Sequence, residues 1–281
     1  MSKLDSRNHL QRLIFRLVVF AVIVVEVYPI LWLLVSSLKT SQEFLVNPSY
    51  ALPQGFYFQN YMAAWTTGKM GTFFLNSLFV TLVSLVFIVF FSTTVSFALV
   101  KMHWKGRSLV LNFLLAGIMV PVTIVLIPLF TMYKATGLLN THASLIITYV
   151  GFGLSLSIYL LTAYLGSLPD EMLEASVMDG CNVYQMFFRI VVPLTANAIV
   201  TVIVIQFFFR WNDMLFSMTF ISSTALKTIQ TGLMFFSDEW GNTDWGAVFA
   251  AISIAVIPTL VLYGFLNRLV MSGMTAGAVK G

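Results

Sequence analysis

Phe73-Phe-Leu-Asn-Ser-Leu-Phe-Val-Thr-Leu-Val-Ser-Leu-Val-Phe-Ile-Val-Phe-Phe-Ser-Thr-Thr-Val-Ser-Phe-Ala-Leu-Val100 contains no charge, no proline and no glycine. About 20 apolar residues in a helix cross a bilayer core, so this run is long enough to span one with some tilt. Its valines and phenylalanines also suit strands, but in lipid a single segment must satisfy its own backbone groups, which selects the helix. Five further stretches read the same way. They are about Leu13 to Leu38 (interrupted by Glu26), Ser108 to Met132, Ala143 to Leu165, Ile190 to Phe209 and Trp245 to Asn267. Across all 281 residues, 59% are hydrophobic and 9% charged, with a mean hydropathy of +0.91. Soluble domains are about half apolar and about a quarter charged, so most of this surface faces lipid. The sequence predicts an all-α membrane protein of six transmembrane helices.

Basic residues orient it. An N-in, C-in arrangement puts Lys3, Arg7, Arg12, Arg16, Lys101, Lys105, Arg107, Arg189, Arg268 and Lys280 inside and Lys39, Lys69, Lys134, Arg210 and Lys227 outside. The first apolar run exceeds the 7–15 residues of a signal-peptide core and reads as a retained anchor. The expected organisation is residues 1–72 (N-terminal segment, first span, outer loop), 73–267 (a five-helix core) and 268–281 (a cytoplasmic tail). A second outer loop is expected from about Ser222 to Asp244. The net charge of +4 is small and dispersed, which argues against a nucleic-acid partner. The single cysteine, Cys181, excludes an internal disulfide framework and a cysteine-rich metal site.

The connection between the fourth and fifth spans is Ser167-Leu-Pro-Asp-Glu-Met-Leu-Glu-Ala-Ser-Val-Met-Asp-Gly-Cys-Asn-Val-Tyr-Gln-Met-Phe-Phe-Arg-Ile-Val-Val-Pro193. Ser167 is placed to cap a helix, Pro169 suits its first turn, and Asp170 and Glu171 complement the dipole there. Leu168, Met172 and Ala175 share a face at helical spacing. Asp179-Gly180 breaks that helix. A second short helix from about Val183 brings Phe187 and Ile190 together, and Pro193 ends it. Helix, turn, helix with an apolar ridge fits either a connector lying on the lipid surface or a docking knob for a cytoplasmic partner.

The residue order favours the knob. Glu174-Ala175-Ser176 followed by Asp179-Gly180, then Phe187, Arg189, Ile190 and Pro193, resembles the EAA loop of ABC-importer permeases, in the form used by their carbohydrate-importer branch. One position departs, Ser176 standing where the motif has alanine. Ser36-Ser37-Leu38-Lys39, Arg210-Trp211-Asn212-Asp213 and the tail from Gly273 to Gly281 are similar to the same branch, so the likeness runs along nearly the whole chain. It implies the ABC transporter type-1 permease fold in a bacterial plasma membrane. The implied assembly contains a homologous second permease subunit, two cytoplasmic ATPase subunits and an extracytoplasmic solute-binding protein that delivers a sugar.

The resemblance also assigns roles. Glu174, Ala175, Ser176, Asp179, Gly180, Phe187, Ile190 and Pro193 would couple the ATPase to the membrane helices, and Gly277 and Lys280 in the tail would reach it. Candidates for the substrate pathway are Glu26, Ser77, Thr81, Ser84 and Asn212. Each has a structural alternative. Glu26 at mid-membrane, costing about 2.5–3.5 kcal/mol if charged, fits a neutral or paired residue as well as a pathway residue. The stripe Ser77, Thr81, Ser84, Ser92 and Ser96 fits helix packing as well as sugar contact. Pro121 and Pro128 are expected to bend the third span, and Gly151 and Gly153 to loosen the fourth. Arg210 and Asp213 are spaced to pair on one helical face, and the outer loop with Asp238, Glu239, Trp240 and Trp245 suits sugar or binding-protein contact.

Other classes fit less well. His9, His103 and His142 are scattered, and no His-Glu-x-x-His, Gly-x-Ser-x-Gly or phosphate-binding glycine loop occurs. No cofactor is expected on this chain, ATP and Mg belonging to the partner subunits. Few carboxylates within the spans and no evident inverted repeat argue against an ion-coupled secondary transporter. A permease for another solute, such as a glycerol phosphate or a polyamine, is the closer alternative.

Overall fold

The computed structural model describes residues 2–239 and 244–278, with side chains over 11–234 and 244–265. No strand occurs among the described residues. The helices in chain order are α1 (Ser2–Ser36), α2 (Ser41–Val46), α3 (Gln59–Trp65), α4 (Met70–Val100), α5 (Arg107–Ala116), α6 (Val122–Ala135) and α7 (His142–Ser167). They continue with α8 (Glu171–Met178), α9 (Val183–Met186), α10 (Val192–Leu194), α11 (Ala196–Trp211), α12 (Leu215–Phe220), α13 (Ile229–Glu239) and α14 (Trp245–Ala278).

Four helices are long and apolar enough to cross a membrane: α1 over Gln11–Ser36, α4, α7, and α14 over Trp245–Phe265. Two bent pairs bring the number up to six if each counts as one span. These pairs differ from the continuous helices the sequence suggested. Residues 107–119 and 122–135 meet at 100°, because Val120 is extended and Pro121 cannot donate into the preceding turn. Pro128, by contrast, sits inside α6. Residues 183–194 and 196–211 meet at 71°, and the break falls at Thr195, not at Pro193, which lies within α10.

Contacts divide the chain into two units. One comprises 1–70 with 233–256, the other 71–232 with 257–281. In the first, α1 stands exposed along its apolar length until its last turns. Ser36, Ser37 and Lys39 then become buried. Asn60 Nδ2 donates to the carbonyls of Ser37 and Lys39, both at 2.8 Å, and Ser37 Oγ shares a 2.7 Å hydrogen bond with Tyr61 Oη. Lys39 donates to the Ser49 carbonyl and lies 5.4 Å from the centre of the Phe44 ring. Trp32 and Phe44 pack on Phe249 of α14. Gly246 permits this approach: a Cβ there would lie 2.6 Å from the Lys39 carbonyl oxygen. Gly246→Ala is therefore expected to lower stability by about 1–3 kcal/mol, read as an earlier thermal transition of the detergent-solubilised protein.

In the second unit, α4 and α7 run in the same direction and pack throughout. Val80 clusters with Leu145 and Tyr149, Ile88 with Leu161, and Phe97 with Leu165. Ser77, Thr81, Ser84, Ser92 and Ser96 are all buried, where small side chains let helices approach closely. Gly153 does not loosen α7, which is unbroken from 142 to 167. Instead a Cβ at Gly153 would crowd Ile88, so the glycine admits that side chain. The expected second outer loop is also largely helical, formed by a turn of 3-10 helix at Thr224–Leu226 and by α13.

Candidate coupling site

After α7 the chain turns extended at Leu168, as a residue before proline prefers. Ser167 is the last residue of α7, and its hydroxyl donates to the Tyr164 carbonyl, so it does not cap the next helix. Asp170 holds the N-cap position of α8, with its carboxylate turned to Lys101. Glu171 and Glu174 lie in the first turn, where negative charge favours the helix dipole.

The turn after α8 has a defined form. Gly180 takes φ +77°, its N–H bonds the Val177 carbonyl and the Cys181 N–H bonds the Ser176 carbonyl, each at 3.0 Å. This is a Schellman C-cap, which requires a left-handed residue at that position. Asn182 then caps α9 reciprocally with Gln185: each side chain accepts from the other's backbone N–H, at 2.9 and 3.0 Å. A π-helical turn at Phe187–Val191 follows.

Of the expected ridge, Leu168 packs inward while Met172 and Ala175 do not. Ser176, Phe187 and Val191 point inward and are buried, with Leu173 and Met186 packed beside them against Phe97 and Leu165. Met172 and Ala175 face outward. The inward face is set by neighbours on α4 and α7, which the i, i+4 pattern of α8 alone does not identify. Ser176 belongs to the inner face, and its Oγ donates to the Leu173 carbonyl at 2.6 Å. Met178 (87% exposed), Tyr184 (78%), Phe188 (59%) and Val177 (57%) are the large apolar side chains most exposed on the connection. Ile190 is half-buried, and Glu174, Asp179 and Pro193 are exposed.

Lys101, just past α4, fastens the connection. Its side chain is 5% exposed, and its ammonium donates to the Leu168 carbonyl at 2.7 Å and to Asp170 Oδ1 at 2.6 Å. That hydrogen bond and the opposite charge hold the Asp170 carboxyl below the usual carboxylate range. The pair therefore persists at neutral pH and weakens only as pH falls through the lowered value. Sequence reading counted Lys101 only as a loop charge; its partners lie 67 and 69 positions away. The Asn182–Gln185 box, by contrast, is visible in sequence as a capping residue followed by glutamine three positions on.

A second polar centre lies where α7 and α11 meet. Tyr149 Oη donates to Asp213 Oδ2 at 2.7 Å, and Asp213 also accepts from the N–H groups of Phe216 and Ser217. Arg210 donates to Gln206 Oε1 at 3.1 Å and lies 5.1 Å from the centre of the Tyr149 ring. Gln206 Nε2 in turn donates to the Gly153 carbonyl and Ser157 Oγ. The side chains of Arg210 and Asp213 thus bond to other residues of the cluster, while the Asp213 N–H donates to the Arg210 carbonyl at 3.4 Å.

Two of the pathway candidates bond one segment: Ser77 Oγ accepts from the Ile229 N–H, and Asn212 Oδ1 accepts from Gln230 Nε2. Glu26 is exposed on α1, Asn212 is exposed after α11, and Ser77, Thr81 and Ser84 are buried between packed helices. Asp238 and Glu239 lie beyond the described side chains, and Trp240 and Lys280 lie outside the described residues; Gly277 falls in the last turn of α14.

Residues 88–275 match the family described as the binding-protein-dependent transport system inner membrane component. A probable ABC transporter permease protein of Bacillus subtilis, YurM, is 32% identical over 93% of this chain and 86% of its own length. The diacetylchitobiose uptake system permease protein NgcG of Streptomyces coelicolor is also 32% identical, over 92% of this chain and 85% of its own. Among solved structures, a bacterial ABC transporter involved in import of the acidic polysaccharide alginate superposes with a TM-score of 0.82, covering 95% of this chain and 98% of that one at 21% identity.

Proposed function

The chain belongs to the family of binding-protein-dependent transport system inner membrane components, and on that footing we propose that it is one permease subunit of an ATP-driven importer for a sugar or oligosaccharide. The observation that carries this reading is the 168–195 connection. A connection left in water does not need a Schellman turn, a capping box, a buried inner face and a lysine clamp beside exposed Met178, Tyr184 and Phe188. Such a rigid apolar knob suits the cleft of a second protein. In this reading that protein is a cytoplasmic ATPase, which binds ATP and Mg and drives alternating access through the knob.

The termini and the knob then face the cytoplasm of a bacterium, in keeping with the distribution of lysine and arginine. The apolar length of α1, with Glu26 midway, is left to lipid and to a homologous second permease. A solute-binding protein outside the membrane completes the assembly. The carbohydrate assignment draws on the named uptake system of the Streptomyces relative.

Proteoliposomes holding the whole complex and the binding protein separate this reading from ion-coupled transport. Uptake of one or more members of a panel of labelled mono-, di- and oligosaccharides is expected with ATP supplied to the ATPase side, and none from an imposed proton or sodium gradient alone. Gradient-driven uptake without ATP would overturn the proposal.

A further inference from the structure

α4 is bound by side-chain hydrogen bonds to a connecting segment at each of its ends. At one end Lys101 reaches Leu168 and Asp170. At the other, Asn76 Nδ2 donates to the carbonyls of Ala225 and Lys227 at 2.8 and 3.0 Å, and Ser77 Oγ accepts from the Ile229 N–H at 2.7 Å. From Asn76 to Lys101 the helix is about 37 Å long at 1.5 Å per residue. No proline or glycine interrupts it between these points, whereas the 107–135 and 183–211 segments bend by 100° and 71°.

The position of Lys101 is specific. α7 enters the connection through extended Leu168 and Pro169, a joint about which α8 can rotate against α7. The ammonium bonds the residue on each side of that proline, the carbonyl of Leu168 and the carboxylate of Asp170, and so bridges the joint. With only 5% of its side chain exposed, the lysine has little access to water, and losing both partners leaves a desolvated charge. Below the clamp, Phe97, Leu165, Phe187 and Val191 form one packed cluster, and close-packed interiors transmit displacement with little compression.

We propose that Lys101 is a positioning residue that locks the 168–195 connection to α4, making α4 the rod through which movement of the knob reaches the 225–229 segment. This rests on the proposed function, since it presumes a partner that moves the knob. Without the ammonium, the partner still docks on Met178 and Tyr184, but α8 pivots at Pro169 and α4 stays behind. Docking is then preserved and transmission is lost.

The test uses the assembled complex with its ATPases in lipid nanodiscs, in a Cys181→Ser background. One environment-sensitive fluorophore is placed at Glu171→Cys in the connection, and in a separate sample at Ala225→Cys; both positions are exposed. MgATP with vanadate is expected to shift the emission at both. In Lys101→Met the shift at 171 is expected to remain and that at 225 to be lost, with Lys101→Arg restoring it. A full shift at 225 in Lys101→Met would overturn the inference. If Lys101→Met does not assemble, Asp170→Asn, altered at an exposed position, is expected to reduce the shift at 225; an undiminished shift there would overturn the inference. Absence of any nucleotide-dependent shift at 171 without the Lys101 substitution would instead count against the proposed function itself.

Discussion

In the proposed assembly, replacing Gly180 by valine is expected to leave the protein inserted in the membrane and paired with a second permease, but stripped of bound ATPase. A Cβ at this position meets no atom within 4 Å, so crowding is not the cause. The cause is the backbone: φ is +77°, a region costing a β-branched residue of order 1–3 kcal/mol. Relief comes from unwinding the Schellman turn, which breaks the bonds from Gly180 to Val177 and from Cys181 to Ser176. Asn182 then no longer starts α9 at the same angle to α8, and Tyr184 shifts relative to Met178. If the full strain is expressed in docking, affinity falls about 5–150-fold. Asparagine tolerates left-handed backbone far better, so Gly180→Asn is expected to keep most of the bound ATPase. Equal recovery of ATPase with wild-type and valine proteins would show that this turn does not set the docking surface.

The largest loss of stability is expected from Asp213→Ala. Its carboxylate accepts from Tyr149 Oη and from the N–H groups of Phe216 and Ser217, tying the end of α11 to α7 and to the start of α12. Removing it orphans a buried phenol and leaves the Arg210 guanidinium, whose Nε already lacks a partner, without a nearby negative charge. Uncompensated buried charges of this kind cost about 3–5 kcal/mol. Little folded protein should therefore be recovered from membranes, with a lower melting temperature in what remains. Asp213→Asn keeps an accepting oxygen and is expected to lose less. An alanine variant that melts with wild type would show that the cluster contributes nothing to the fold.

Local chemistry made much of this molecule legible. Long uncharged runs mark α1, α4, α7 and α14 because membrane helices need little beyond continuous apolarity. Gly180 marks its turn because few residues adopt that backbone. The breaks at Pro121 and Thr195 were less legible: a proline in an apolar run fits a gentle kink as well as a 100° bend, and which one forms depends on neighbours outside the run. The inward face of α8 is not legible from sequence for the same reason. Phe97 and Leu165, distant in sequence, decide that Leu173 and Ser176 turn inward while Met172 and Ala175 turn out. The clamp of Lys101 and the Tyr149–Asp213 bond were out of reach, since each joins residues more than 60 positions apart.

The central claim is that the exposed knob formed by Val177, Met178, Tyr184 and Phe188 is where an ATPase engages. Photocross-linking tests it most directly. In a Cys181→Ser background, benzophenone maleimide is attached at Met178→Cys, and as a control at Met62→Cys, which is also exposed but lies in the other unit. Illumination of the purified complex is expected to join the ATPase subunit to the chain from position 178 and not from position 62. An ATPase adduct from 62 with none from 178 would contradict the account.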